Sequence, residues 1–162
     1  MEFQGKVAVV TGGNRGIGKA IALAFAREGA DVVAAGRDKA SLDETIAQLR
    51  ALGREALAVA ADLSVQDGAD ALARAVSERF GAAHVVVASA SIRDHANRLI
   101  AEMDPAAYEA LVRGNILSTV LPIRALLPAM IERRQGKIVT ISGVSGIRGQ
   151  ARRAGGGSAQ WA

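Results

Sequence analysis

Thr11-Gly12-Gly13-Asn14-Arg15-Gly16-Ile17-Gly18 lies between the apolar run Val7–Val10 and a helical pattern that begins near Ile17. The apolar residues before it are continuous and do not alternate, which marks a strand buried on both faces. Gly12 permits a tight turn where the chain leaves that strand. Gly16 removes a Cβ where a phosphate must approach the backbone, and Gly18 lets the following helix pack closely. The free N–H groups of the helix's first turn, with its dipole, favour a dianionic pyrophosphate there. The spacing is Gly-x-x-x-Gly-x-Gly, whereas the commoner loop is Gly-x-Gly-x-x-Gly. A lone glycine loop is a weak signal, and the strand–loop–helix context is what gives this one weight.

The same alternation continues along the chain. A first helix places Ile17, Ile21, Ala24 and Phe25 on one face and stops at Gly29. Asp31–Ala35 reads as the second strand. Ser41-Leu42-Asp43-Glu44 has the form of a capping box, followed by Leu42, Ile46 and Leu49 on one stripe, with Gly53 as a stop. Glu55–Ala60 is the third strand and leads into Asp62-Leu63. Ser64 is placed to cap a helix carrying Leu72, Val76 and Phe80, closed by Gly81, and His84–Ala88 is the fourth strand. Asp104-Pro105 opens a long helix through Tyr108, Leu111, Val112, Asn115, Ile116 and Thr119 toward Arg133. Pro122 and Pro128 are expected to kink or divide it. Lys137–Ser142 is the fifth strand, and residues 146–157, rich in Gly and Arg, have no usable period. This order predicts an α/β fold: one doubly wound parallel sheet, Rossmann-like, in a single domain over residues 1–162, with 146–162 an irregular or partly ordered tail.

Of the 162 residues, 50% are hydrophobic but only 3% aromatic, so the core must be built from Ala, Val, Leu and Ile. The chain has no Cys, which excludes disulfides and thiolate metal sites and is compatible with a reducing compartment. His84 and His95 are isolated, so no metal site is expected. No apolar run is read as reaching a membrane span, and Met1-Glu2-Phe3-Gln4 lacks the order of a signal peptide. The expectation is a cytoplasmic protein with no membrane partner. The net charge of +4 comes largely from Arg133, Arg134, Lys137, Arg148, Arg152 and Arg153. No aromatic residue interleaves with them, so solvated charge is the simpler reading and nucleic acid is not an expected partner.

Together these residues resemble the short-chain dehydrogenase/reductase family. Thr11–Gly18 is similar to its cofactor loop, Asp62-Leu63 to its adenine-contacting pair, Asn115 to the asparagine of its fourth helix, and Lys137–Gly146 to its fifth strand. The match runs from Lys6 to Ala162. The resemblance implies an oxidoreductase that moves a hydride between a nicotinamide and a carbonyl or alcohol. It implies cofactor contacts at Gly12, Asn14, Arg15, Gly16, Ile17, Gly18, Arg37, Asp62, Leu63, Ser89 and Ala90. An NAD-preferring site usually carries a carboxylate at the end of the second strand. Here that position is Gly36, followed by Arg37, and Arg15 and Arg37 are placed to clamp a 2′-phosphate. The expected cofactor is therefore NADP(H) rather than NAD(H). The alternative is that Arg37 is a surface arginine and Asp38 supplies the acid.

The family's proton-transfer residues are not matched. Its serine position falls on Gly143, its tyrosine on Gly156 and its lysine on Gln160, so Asn115 alone survives of the tetrad. The family's Asn-Asn-Ala-Gly after the fourth strand reads here as Ala88-Ser89-Ala90-Ser91. Ser142 is expected to face away from the site, Ser145 and Ser158 have no base placed to activate them, and Tyr108 is expected to pack. In the family further strands follow this segment. Without them Ile138, Val139 and Ile141 lose cover, and the fifth strand is an open edge. Four readings follow: an impaired reductase that still binds NADP(H); an active enzyme with an unidentified or borrowed proton donor; a module that pairs as a homo- or hetero-oligomer through the long helix and the open edge; and a truncated copy without a role.

Overall fold

The computed structural model describes residues 1–92, 99–149, 157 and 159. Five strands, β1 (Val7–Thr11), β2 (Asp31–Gly36), β3 (Ala56–Ala60), β4 (Val85–Ala88) and β5 (Lys137–Thr140), form one parallel sheet in the order β3-β2-β1-β4-β5. The helices α1 (Gly16–Arg27), α2 (Lys39–Ala51) and α3 (Gln66–Phe80) supply the first three crossovers. A long helical segment, α4 (Pro105–Val112), a π-helical turn (Arg113–Leu117) and α5 (Ser118–Glu132), supplies the last. Strand order reverses between β1 and β4. The loops leaving those two strands therefore diverge and open a crevice at their carboxyl ends.

Side-chain alternation divides the core. Ala8, Val10, Val32, Ala34, Val85 and Val87 face α1 and α2, with Leu42, Ile46 and Leu49. Val7, Val9, Val33, Ala35, Val59 and Val86 face α3 and α5, with Leu72, Val76, Leu126 and Met130. No residue of β5 belongs to either cluster, and all four of its positions are exposed. Ile138 and Val139, on opposite faces, are 40% and 45% exposed, so β5 has the sequence of a central strand in the position of an edge.

Several local expectations are corrected. In α1 the buried stripe is Gly18, Ala22 and Ala26, while Ile17 and Ala24 are exposed. Small residues let the helix sit close to the sheet, and the larger Ile21 and Phe25 pack at its flanks. Helix α2 begins before Ser41: Asp38 is the cap, its carboxylate accepting from the Ser41 N–H at 3.2 Å. Ser64 does not cap α3, which starts after Val65 with no side-chain cap. The long helix is interrupted at the π-helical turn, and helical geometry continues through Pro122 and Pro128. Tyr108 is exposed and is not a core residue. The helical stretch Pro105–Glu132 is long and apolar enough to cross a membrane by length and composition, with an 18-residue window of mean hydropathy 1.4, contrary to the sequence reading. Its Leu126 and Met130 pack on the sheet and α3, which accounts for its apolar residues on that side. Within the tail, Val144–Gly146 forms a 3₁₀ turn and Gly157 and Ala159 are helical, while residues 150–156 lie outside the described residues.

Candidate functional site

The crevice is built around the loop that leaves β1. Gly12 adopts φ +67, and its N–H and that of Gly13 both donate to the Ala35 carbonyl, at 2.8 and 3.3 Å. A Cβ on Gly12 would lie 3.0 Å from the Ala90 Cα, so the loops leaving β1 and β4 touch here. A Cβ on Gly18 would lie 2.7 Å from the Gly12 carbonyl carbon, so what α1 packs against at this point is the loop itself. Arg15 occupies the N-cap of α1 in extended conformation with no side-chain cap, and there is no acidic residue in the first turn. The N–H groups of that turn are therefore left for an anion. Gly16 has φ +53 and open space around it.

Thr11 holds the crevice together in a way the sequence reading does not single out. It is fully buried, and its hydroxyl oxygen accepts from the backbone N–H groups of both Ser89 and Ala90 at 3.0 Å. The Ala90 carbonyl in turn accepts from the Ser118 hydroxyl at 3.2 Å. The bonds that tie the strand ends thus come from Thr11 and Ser118, and the segment is held through its backbone. A threonine at a strand end is visible in sequence, but its partners lie far along the chain.

The second wall is the end of β2 and the loop after β3. Gly36 ends β2, and Arg37 follows on the surface. Neither Arg15 nor Arg37 has an ion-pair partner among the described residues. Asp38 is engaged as the cap of α2. Asp62 is exposed, and its carboxylate accepts from the Ser64 N–H at 2.9 Å and hydroxyl at 2.7 Å. Those two bonds hold its carboxyl below the ordinary carboxylate range, with the Arg37 charge adding in the same direction. Leu63 is buried in the core, so its side chain is committed there. Gly68, in the first turn of α3, packs on the Asp62 backbone; a Cβ there would lie 2.7 Å from the Asp62 carbonyl carbon.

The third wall is the π-helical turn. Asn115 is buried within it, its Nδ2 donating to the Leu111 carbonyl at 2.8 Å. Its Oδ1 is buried with no protein partner. Ser118 donates to the Gly114 carbonyl at 2.8 Å and Thr119 to the Asn115 carbonyl at 3.0 Å, so side chains take up the carbonyls that the widened turn leaves over. Gly114 lies against Ile92, with a Cβ there 2.5 Å from the Ile92 Cδ1. Gly143, half-buried, lies in the segment after β5, and Ser142 beside it is exposed. Gly156 and Gln160 lie outside the described residues. The structure thus brings Gly12, Asn14, Arg15, Gly16, Ile17 and Gly18 together with Arg37, Asp62, Ser89 and Ala90 at one end of the sheet.

The family model for short chain dehydrogenase matches residues 6–162. Over 149 residues the chain is 32% identical to the 3-oxoacyl-(acyl-carrier-protein) reductase of Thermotoga maritima, covering 92% of this chain and 60% of that protein. A crystal structure of a metagenomic short-chain oxidoreductase in complex with NADP superimposes with a TM-score of 0.93 at 36% identity, covering 99% of this chain and 72% of that one. An NAD⁺-bound xylitol dehydrogenase matches with a TM-score of 0.96 at 24% identity, a likeness of fold alone. The chain spans 46% and 62% of the length of two further curated relatives. With the family model matching residues 6–162 of its 162, the chain belongs to the short chain dehydrogenase family.

Proposed function

We propose that residues 1–162 are one dinucleotide-binding domain that takes NADP(H) in preference to NAD(H). Its reaction class is hydride transfer between nicotinamide and a carbonyl or alcohol, with the chain's own proton transfer impaired. The observation that carries the cofactor reading is the end of β2. Among the described residues neither Arg15 nor Arg37 forms a salt bridge, Gly36 before Arg37 offers no carboxylate, and Asp38, the carboxylate next to Arg37, is engaged as a helix cap. The residues fit the cofactor. Gly12, Gly16, Ile17 and Gly18 offer backbone and uncapped N–H groups to a pyrophosphate. Asp62 offers a carboxylate to the adenine amine, while Leu63, Ser89 and Ala90 contribute through their backbone. The orphaned, buried Asn115 Oδ1 fits a bound water.

When bound, the nicotinamide supplies or accepts the hydride. The chain must then hold the substrate oxygen and move one proton, and here Gly143 stands where the family resemblance places a serine. Gly156 and Gln160 stand at the tyrosine and lysine positions. Loss of acid–base assistance costs about 10²–10⁴ in rate. The test has two stages: nicotinamide fluorescence on titrating NADPH, then NADPH oxidation with a panel of ketones. Binding without turnover is expected. Turnover well above the buffer background overturns the impaired reading, and absence of binding by a well-folded chain overturns the cofactor reading.

A second reading, association with another copy or an intact family member, is favoured by the exposure of all of β5 and of Val120 and Ile131 on α5. A cytoplasmic location is part of the proposal, on a cysteine-free composition compatible with a reducing compartment.

A further inference from the structure

The side chain of Asn14 reaches out of the glycine loop to α2. Its Nδ2 donates to the Ser41 Oγ at 2.9 Å, and Ser41 is itself fixed by the Asp38 cap, donating its N–H to the carboxylate and its hydroxyl to the Asp38 carbonyl, each at 3.2 Å. The fully buried Thr45 donates to the Asn14 carbonyl at 3.4 Å and to the Ser41 carbonyl at 3.0 Å. The other end of the Asn14 amide lies over Gly36: a Cβ at position 36 would sit 2.9 Å from the Asn14 Oδ1. The amide cannot swing aside for a side chain at 36 without leaving Ser41.

We infer that the Asn14–Ser41 bridge is a specificity-positioning device that presets the dinucleotide preference of the loop. It does two things at once. It joins the residue before Arg15 to the first turn of α2, just past Arg37, so the backbone segments that carry the two arginines are tied together. It also fills the space in which a carboxylate at position 36 would have to stand to receive a ribose hydroxyl. Neither Asn14 nor Ser41 need touch the phosphate. Both act through the arginines beside them, and the inference rests on the NADP(H) reading above.

The test is fluorescence titration of the full chain with NADPH and with NADH, each variant checked by a thermal melt. Asn14→Ala and Ser41→Ala each lower the NADPH-to-NADH affinity ratio about tenfold, the scale of one hydrogen bond, while Ser41→Thr keeps it. Gly36→Asp alone binds neither dinucleotide well, because its carboxylate displaces the Asn14 amide. The double variant Asn14→Gly/Gly36→Asp binds NADH at least tenfold more tightly than Gly36→Asp. A wild-type chain that prefers NADPH and whose ratio is unmoved in Asn14→Ala and Ser41→Ala overturns the bridge but leaves the cofactor reading standing. So does a Gly36→Asp variant that takes NADH without help from position 14. A wild-type chain that binds both dinucleotides equally, or neither, overturns the cofactor reading and the bridge with it.

Discussion

Replacing Gly68 by alanine sets two effects of opposite sign against each other in one residue. Alanine is a better helix former than glycine by about 0.8–1.0 kcal/mol in a helix interior, and less in a first turn. On propensity alone the substitution stabilises α3. The structure predicts the reverse. The new Cβ would lie 2.7 Å from the Asp62 carbonyl carbon and 3.4 Å from its amide nitrogen, and these are backbone atoms that cannot rotate away. Relief requires α3 and the 60–64 loop to separate, and Leu63, Leu72 and Val76 pack together behind that contact. Overpacking of this kind costs about 1–3 kcal/mol. The net expectation is a loss of about 1–2 kcal/mol, or roughly 2–8 °C in Tm for a domain of this size. Circular dichroism melts at fixed salt measure it, with Ser77→Ala, exposed on the same helix, as the control that gains propensity without a new contact. A Gly68→Ala chain that melts at or above the wild type refutes the packing argument.

Four further outcomes follow from the same geometry. Thr11→Val removes the acceptor of two backbone N–H groups, at a cost of about 1–3 kcal/mol for each left unsatisfied, whereas Thr11→Ser loses far less; chemical denaturation measures both. His84 accepts from the Val7 N–H through Nδ1 at 3.0 Å, and burial, then the charges of Arg133 and Lys6, hold its pKa below the ordinary histidine value. Its contribution is complete above the unfolded pKa near 6.5 and is lost as pH falls below it, so Tm drops between pH 7.5 and 5.5 in the wild type and the slope is shallower in His84→Gln. Asn115→Leu removes the 2.8 Å bond to the Leu111 carbonyl, a loss of about 1–3 kcal/mol that is partly offset because the buried Oδ1, which has no protein partner, goes with it; a loss above about 3 kcal/mol counts against that offset. Val139→Lys lowers concentration-dependent light scattering while shifting stability by less than about 0.5 kcal/mol, because the side chain is already 45% exposed.

The order of elements was legible because each crossover carries its own stop: Gly29, Gly53 and Gly81 each take a positive φ just past a helix. The anion cradle was legible for a related reason, being one contiguous loop. What escaped depended on contacts across the chain. Hydrophobicity points to Ile17 as part of the buried face of α1, but size decides how close a helix can lie, so Gly18, Ala22 and Ala26 face inward and Ile17 does not. Ser41 looked like a cap because it begins a capping-box pattern, yet Asp38 takes that role and Ser41 is bound to Asn14. The prolines predict a break in the long helix at Pro122 or Pro128. It falls instead at Asn115 and Ser118, whose side chains bond to backbone carbonyls one turn back, a competition that local propensity does not register.

The mismatch at β5 limits what its edge can do alone. Lys137–Thr140 pairs with β4 in register, and its residues are those of a strand covered on both faces. Ile138, Val139 and Ile141 retain 40%, 45% and 38% of their exposure, so full cover would recover less than half of a side chain's burial energy at each, or about 1 kcal/mol apiece. Association costs at least about 4 kcal/mol in lost translational and rotational freedom. The three side chains therefore cannot hold a partner by themselves. A stable complex must also satisfy the unpaired backbone groups of the edge, or extend over the apolar stripe that α5 exposes at Val120 and Ile131. Substitution at β5 and substitution on α5 should consequently weaken one and the same association, with free energies that add, if one partner spans both surfaces, and should weaken two separate associations if two different contacts are involved.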